Sequence, residues 1–258
     1  MIGALTFLTV VGRSRPPRSA DLAWFPAVGM FLGAVLGCAW WIGEQVWPPA
    51  VAAALVVAAD LALTGLLHVD GLADSADGLL PHLDREQRLA VMAAPDVGAF
   101  GVATTAATLL VRWSALAALP VGGWRAVVLL AAVWATARAG MVLVMATQPY
   151  ARGAGGLASP FVSTPSASGP ATRSAPRAAS FTAIATLVLA TVVSAVVTAS
   201  TGGLSAITGA AGIVVGVGAG VVVALLARRR IGGYTGDVLG ALGMVVETVA
   251  LVVLVGDA

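Results

Sequence analysis

Seven apolar runs divide this chain, each about as long as the roughly 20 residues that an α-helix needs to cross a bilayer. Only 10% of the residues are charged, against about 25% in soluble domains. Because backbone groups inside a bilayer must pair within the protein, runs of this length form helices. We predict an all-α, polytopic membrane helix bundle with about seven transmembrane helices, at 24–46, 48–67, 100–119, 124–147, 181–201, 204–227 and 238–256.

The remaining segments differ from these runs in character. Residues 1–11 are apolar but too short to span, and their positive charges follow rather than precede them, unlike a signal peptide. We expect a short N-terminal interfacial or re-entrant helix. Residues 68–99 are expected to be a wet, helical segment, and 148–180, rich in Pro, Ser, Gly and Arg, a loop. We see no internal repeat and expect one integral membrane domain, 1–258.

An acidic cluster, HVDGLADSADG, occupies residues 68–78 of this apolar chain. In a helix, Asp70, Asp74 and Asp77 fall within an arc of roughly 60° on one face. Three carboxylates on one stripe repel each other and are costly to keep ionised near a membrane. A hard divalent cation would compensate this charge. The alternative is a solvated acidic helix face.

The arginines lie unevenly on the two sides of the predicted bundle. All 14 basic residues are arginine, and alternating crossings place eleven of them on the side that carries 68–99 and 148–180. The positive-inside rule makes this side cytoplasmic. A net charge of +2 is too small to indicate a nucleic-acid partner. The eleven are Arg13, Arg15, Arg18, Arg85, Arg88, Arg152, Arg173, Arg177, Arg228, Arg229 and Arg230.

The other polar motifs fall on this same side. Asp96 lies in APDVGAFG just before a span, and GGYTGDVLG opens the last span at 232–240. Tyr150 and Arg152 follow the fourth span. Carboxylates for a metal, arginines for phosphate and glycines for close backbone approach together favour phosphoryl-transfer chemistry.

These motifs resemble those of the cobalamin synthase family, the adenosylcobinamide-GDP ribazoletransferases. Residues 68–78 resemble its HxDGxADxxDG signature, LTFLT at 5–9 its FLT segment, and FPAVG at 25–29 its FPxxG motif. The resemblance covers nearly the whole chain. Further motifs follow in the family's order: Asp96 with Gly98 and Gly101, Arg138, YAR at 150–152, GGL at 155–157 and GYTGD at 233–237.

The resemblance implies a reaction in vitamin B12 biosynthesis. Adenosylcobinamide-GDP and α-ribazole, or its 5′-phosphate, give adenosylcobalamin, or its 5′-phosphate, and GMP. An alcohol oxygen attacks the diphosphate phosphorus on the corrin side, which requires Mg²⁺ and a base. We expect a multi-pass protein of the plasma membrane with its active site facing the cytoplasm. Its partners are these small molecules and the bilayer, and a homo-oligomer is left open.

The resemblance also suggests residue roles. Asp70, Asp74 and Asp77 are the expected Mg²⁺ ligands, with Asp74 and Asp96 as catalytic residues. Asp96 is a general base or a fourth ligand, or alternatively a helix N-cap. The expected substrate contacts are His68, Arg138, Arg152, Thr235 and Asp237.

Several of these contacts have structural alternatives. His68 points away from the aspartate stripe in a continuous helix, which leaves a structural role open. Arg138 is a phosphate clamp, or else it and Arg112 form buried ion pairs with Glu247 and Asp60. Asp237 reaches the diphosphate through a metal, or it caps the last span.

Two other functions are weighed. A CDP-alcohol phospholipid synthase would carry a DGxxAR motif, but Ala73 is followed by Asp74 rather than Arg. A transporter would place its carboxylates in the middle of the membrane, whereas the acidic cluster lies at the end of a span.

Overall fold

The computed structural model describes residues 1–12, 18–152, 161, 176–201 and 205–256. Within them, one 3-10 helix, Ser19–Trp24, and ten α-helices are found. The α-helices are α1 (Ile2–Leu8), α2 (Phe25–Val46), α3 (Pro49–Thr64), α4 (Leu67–Leu79), α5 (Arg85–Val91), α6 (Ala99–Ala117), α7 (Gly123–Thr147), α8 (Arg177–Ala199), α9 (Ala206–Ile231) and α10 (Gly236–Leu254). Arg13, Arg15, Arg173, the GGL motif at 155–157 and most of the predicted loop 148–180 lie outside the described residues.

The predicted membrane bundle is confirmed. In the described ranges, six helices are long and apolar enough to cross a membrane: α2 with the 3-10 helix before it, α6, α7, α8, α9 and α10. The pair α3 and α4 makes a seventh when it is counted as one broken span. The chain is therefore a multi-pass membrane protein, and α1 confirms a short N-terminal helix.

The prediction of one continuous span at 48–67 is wrong. Helix α3 ends at Thr64, and α4 begins at Leu67 after a bend of 89°. Gly65 and Leu66 both have left-handed backbone conformations, with φ of 59° and 62°. The chain that leaves α1 fills this bend, because the N–H of Val10 donates to the Leu63 carbonyl at 2.9 Å. The acidic motif consequently lies on a helix of its own.

Helices α2 and α7 pack backbone against backbone along a row of glycines. Gly29, Gly33 and Gly37 lie one turn apart on α2, directly against the α7 backbone. A Cβ added to Gly29 would lie 2.5 Å from the Trp134 carbonyl oxygen. In lipid, small residues of this kind let helix backbones approach closely. Helix α10 packs against α9, α4, α7 and α6, which places it centrally.

The ends of the helices lie on two opposite sides of the bundle, as expected when successive helices cross the membrane in alternating directions. On one side, Arg85 donates through Nε to the last carbonyl of α9 at 3.0 Å and through Nη2 to Ala151 at 2.9 Å. Arg230 donates to the last carbonyl of α4 at 2.6 Å. On the other side, the Gly123 N–H donates to Glu44 at 2.8 Å. The ends of α4, α7 and α9 therefore meet on one face.

Candidate active site

Helix α4 presents its aspartates in an order of decreasing exposure. The predicted helix is confirmed, with all three aspartates inside it. The expectation that this segment is wet is wrong for α4, because nine of its 13 residues are buried against neighbouring helices. Asp70 is exposed, Asp74 is partly buried and Asp77 is buried. The stripe therefore runs from open solvent into the contact with α6.

Asp77 anchors the start of α6. Its Oδ2 accepts from the Gly98 N–H at 2.6 Å, and its Oδ1 accepts from the Gly101 N–H at 2.9 Å. A carboxylate at a helix N-terminus is stabilised by unpaired N–H groups and by the helix dipole. A Cβ on Gly98 would lie 2.5 Å from Oδ1, so only glycine fits against this carboxylate. Both oxygens of Asp77 are thus engaged by backbone.

Asp96 does not cap α6. The N-cap residue is Gly98, two positions later, and Asp96 lies exposed in the bend before it. The N-cap alternative for Asp96 is therefore wrong, because the carboxylate at this helix start is Asp77. The assignment of Asp96 as a catalytic residue stays a prediction.

Asp237, in the first turn of α10, joins the aspartates of α4. Gly71 lies directly against it, since a Cβ on Gly71 would come within 2.7 Å of the Asp237 carbonyl oxygen. Asp237 and Asp70 line the same cleft, and both are charged neighbours of Asp74. Thr235 is the N-cap of α10, and its hydroxyl also lies 3.2 Å from Asp237 Oδ2. The carboxylates brought together are thus Asp70, Asp74 and Asp237.

Arg152 contributes the cation beside these carboxylates. An isolated parallel bridge between Tyr150 and Tyr234 joins the chain after α7 to the chain before α10. It holds Arg152 where Nη2 donates to Asp237 Oδ2 at 2.9 Å. The Arg152 Nε has no hydrogen-bond partner in the described part of the chain. Burial raises the pKa of the neighbouring Tyr150, so its phenol stays protonated.

The donors at this site fit Mg²⁺. Over the described residues, no three His, Cys, Asp or Glu side chains are arranged to hold a metal ion by themselves. Mg²⁺ typically keeps several waters and binds through one or two carboxylates together with substrate phosphates. Asp70, Asp74 and Asp237 offer hard oxygen donors with an excess of negative charge. Asp77 fits less well, because both its oxygens accept from amides; its assignment as a ligand stays a prediction.

Four buried charges connect the spans beneath this site. Arg112 donates through Nη1 to Asp60 at 2.7 Å and through Nη2 to Glu247 at 2.8 Å. Arg138 donates to the other oxygen of Glu247. Trp134 donates to Asp60 at 3.1 Å, and its ring lies 5.5 Å from the Arg112 guanidinium. The ion pairs proposed as the structural alternative for Arg138 and Arg112 are therefore present.

His68 lies between this charge network and the carboxylates. It is 4% exposed, and its Nδ1 has no hydrogen-bond partner among the described residues. Gly243 of α10 lies beside both His68 and Arg138, because a Cβ there would be 3.6 Å from each side chain. A buried imidazole nitrogen without a partner is costly unless a ligand or water reaches it.

A small cleft, with a cavity volume of about 40 Å³, opens beside the carboxylates. Its lining includes His68, Asp70 and Asp237 but not Arg138, whose role as a substrate contact stays a prediction. The apolar residues of this cleft had no predicted role, although the LTFLT and FPAVG motifs contain three of them, Phe7, Leu8 and Phe25. The apolar lining residues are Phe7, Leu8, Phe25, Leu67, Met141, Met145, Phe161 and Leu239.

Comparison with known proteins supports one family for the whole chain. Residues 1–255 match the family described as cobalamin-5-phosphate synthase. An adenosylcobinamide-GDP ribazoletransferase from Chlorobium phaeovibrioides is 35% identical over 246 residues, which are 95% of this chain and 91% of the relative. One from Bradyrhizobium diazoefficiens is 36% identical over 257 residues, 97% of this chain and 90% of that relative. No solved structure matches. With a family match that covers nearly every residue, this chain belongs to the cobalamin-5-phosphate synthase family.

Proposed function

We propose that this protein is an adenosylcobinamide-GDP ribazoletransferase, an enzyme that joins adenosylcobinamide-GDP to α-ribazole or its 5′-phosphate and releases GMP. The observation that carries the proposal is the cluster of Asp70, Asp74 and Asp237 with Arg152 at the edge of a cleft, in a chain of this family. The family match does not favour a CDP-alcohol phospholipid synthase, and the mid-bundle carboxylates, which a transporter could use, are paired with arginines.

The reaction is a displacement at phosphorus. A ribazole hydroxyl oxygen forms a bond to the corrinoid-side phosphorus, and the bond from that phosphorus to the bridging oxygen breaks. The electron pair leaves with GMP, and the hydroxyl proton must pass to a base. Because the diphosphate is anionic, charge neutralisation and positioning contribute more than a covalent nucleophile would.

The residues of the cluster divide this work. Asp70, Asp74 and Asp237 would hold Mg²⁺, which when bound supplies the positive charge that the diphosphate requires. Arg152 offers a phosphate oxygen its Nε, which has no hydrogen-bond partner among the described residues, and exchanges part of its bond with Asp237 for that contact. Asp74 and Asp96 are the candidates for the base, and His68 the candidate for a contact to the acceptor hydroxyl.

We place this site at the cytoplasmic face of the plasma membrane. The support is the excess of arginine on the side where α4, α7 and α9 end, together with the positive-inside rule. Bridges from Arg85 and Arg230 tie these ends to one another, so the face is one surface. Soluble substrates then reach the cleft from the cytoplasm.

The test is GMP release by the purified protein in detergent with adenosylcobinamide-GDP, α-ribazole and Mg²⁺. We expect release to depend on α-ribazole and to stop with excess chelator. The substitution Asp74→Asn should lower kcat by about 100-fold at low Mg²⁺, with partial rescue at high Mg²⁺. Glu86→Gln, on the exposed face of α5, is the matched control and should keep wild-type turnover.

Two results would contradict the proposal. The first is an absence of α-ribazole-dependent GMP release from protein that remains folded. The second is full turnover by Asp74→Asn in excess chelator, which would reduce the carboxylate cluster to a solvated surface.

A further inference from the structure

A cavity of about 250 Å³ lies between α7, α8, α9 and α10. Helices α7 and α9 pack mainly against α8 and α10 and only slightly against each other, which leaves space between them. Leu187 of α8 and Leu242 and Val246 of α10 contribute to the lining of this space. Among the described residues, none lines both this cavity and the cleft beside the carboxylates, so the cavity is a separate site.

The cavity runs along the second halves of α7 and α9. On α7 its lining extends from Thr136 to Thr147, and on α9 it extends from Val217 to Arg228. Each stretch rises about 16 Å along its helix. Thr147 is the last residue of α7, and Arg228 lies in the last turn of α9. Because the hydrocarbon core of a bilayer is about 30 Å thick, the cavity reaches through about one leaflet, from the side where both helices end.

The lining is compatible with hydrocarbon along most of this length. Between its two ends it consists of leucine, valine, alanine and glycine residues. The hydroxyl of Thr136 donates to the Ala132 carbonyl at 2.8 Å, and that of Thr147 donates to the Leu143 carbonyl at 2.7 Å. Both hydroxyls are therefore satisfied within α7. An acyl chain along this lining strands neither of them, and it supplies the dispersion contacts that a cavity lacks.

The end of the cavity at the membrane surface carries a charge. Arg228 lines this end and is exposed, and Arg229 and Arg230 follow it in the last turn of α9. Gln148 lines the same end, where its Nε2 donates to the Ala224 carbonyl at 3.2 Å. A guanidinium forms strong, charge-assisted hydrogen bonds with phosphate oxygens. Basic pockets between membrane helices accordingly bind the headgroups of anionic lipids.

The cavity opens to the bilayer along α9. Val221 and Leu225 line the cavity and are 49% and 46% exposed. They lie on a helix that is long and apolar enough to cross the membrane, so lipid surrounds their exposed parts. An acyl chain can therefore enter sideways from the bilayer. The depth of one leaflet, the aliphatic lining, the lateral opening and the arginine at headgroup level all match the same ligand.

We propose that this cavity binds one anionic phospholipid, with an acyl chain between α7 and α9 and its phosphate against Arg228. The chain lies along Val217, Val221 and Leu225, and the glycerol backbone lies near Thr147. The bound lipid fills the space that α7 and α9 leave between them and so stabilises their relative position. This inference depends neither on the reaction that the protein catalyses nor on which side of the membrane the site faces.

The test measures lipid binding by protein that is purified in detergent and freed of bound lipid. Dioleoyl phosphatidylglycerol is titrated into the protein, and bound lipid is counted by native mass spectrometry. Arg228→Gln should weaken binding about fivefold, the factor expected for the loss of one arginine beside an anionic headgroup. Arg229→Gln, at an adjacent exposed arginine that is not a lining residue, is the matched control and should bind like wild type.

A second pair of variants tests the position of the acyl chain. Val221→Trp places an indole ring in the cavity, whereas Val222 is 65% exposed and is not a lining residue, so Val222→Trp is the control. Only Val221→Trp should remove the bound phosphatidylglycerol from protein that elutes as a folded species. Added sn-glycerol 3-phosphate, which has the phosphate but no chains, should not displace the lipid from wild-type protein.

Three results would overturn the inference. The first is equal lipid binding by Arg228→Gln and Arg229→Gln. The second is equal lipid binding by folded Val221→Trp and Val222→Trp. The third is displacement of the lipid by sn-glycerol 3-phosphate at the same concentration, because the site would then bind a soluble phosphate compound rather than a phospholipid.

Discussion

Removal of one charge from the buried network should destabilise the protein more than removal of an opposite pair. Arg112, Arg138, Asp60 and Glu247 sum to zero charge, and their side chains are at most 7% exposed. Glu247 is the only carboxylate that Arg138 meets within the described residues. Glu247→Gln therefore leaves Arg138 buried without a counter-ion.

The size of the effect follows from this geometry. Loss of one partner from a buried ion pair costs about 3–5 kcal/mol, because the remaining charge is not compensated. At about 2–4 °C per kcal/mol for a chain of this size, Glu247→Gln should lower Tm by about 6–20 °C. Arg138→Met also leaves one charge uncompensated, but Glu247 still pairs with Arg112. The decrease in Tm for this variant should therefore lie at the lower end of that range. The double variant Glu247→Gln with Arg138→Met leaves the network with zero net charge, because Arg112 still pairs with Asp60.

The measurement is a double-mutant cycle on thermal unfolding, followed by tryptophan fluorescence in detergent. We expect the double variant to be more stable than Glu247→Gln alone and the coupling free energy to exceed about 2 kcal/mol. Glu86→Gln is the control for loss of a carboxylate at the surface. Additive losses, or a double variant less stable than both singles, would refute the account of a compensated network. A folded Arg138→Met protein with a raised KM for adenosylcobinamide-GDP would support a substrate contact instead.

Three further predictions concern the site and its orientation. Asp77→Asn should lower the free energy of unfolding by about 1–3 kcal/mol, and with it Tm, because one carboxylate oxygen that accepts from a backbone N–H at the start of α6 becomes an NH₂ donor. An unchanged Tm would contradict this role of Asp77. Gly71→Ala should abolish GMP release while the protein elutes as a folded species, since the new Cβ forces α4 away from α10; wild-type turnover would show that their close contact is dispensable. In a Cys38→Ala background, an impermeant maleimide should label Glu86→Cys only in inside-out vesicles. The same reagent should label Gln45→Cys only in intact cells. The reverse labelling pattern would show that the opposite orientation in the membrane is correct.

The apolar runs were sufficient to predict the bundle, because the span length is set by the bilayer and not by details of packing. The bend at Gly65 could not be predicted in this way. The apolar run continues through it, and the contact that Val10 makes at this bend, through its N–H to the Leu63 carbonyl and beside Gly65, is a tertiary one. Periodicity along one chain carries no information about such a contact.

The sequence named candidate residues for the site but did not predict how they are arranged around one another. The helical spacing correctly placed Asp70, Asp74 and Asp77 on one helix, but it treated them as equivalent. Their difference arises from which neighbour each one meets: α6 engages Asp77, whereas Asp237 of α10 approaches Asp74. The buried partners of Arg112 and Arg138 were predicted correctly, since carboxylates within the spans were few.

The buried charge network also has a consequence for how the protein is made. Its members come from α3, α6, α7 and α10, and α10, which carries Glu247, leaves the ribosome after the other three helices. Until α10 is inserted, Arg138 lacks its counter-ion and Arg112 has only Asp60. A nascent chain in the translocon therefore keeps an excess positive charge at membrane depth until α10 joins the other helices. Chains truncated before α10 retain that excess, so they carry an uncompensated charge in the membrane that the finished bundle does not.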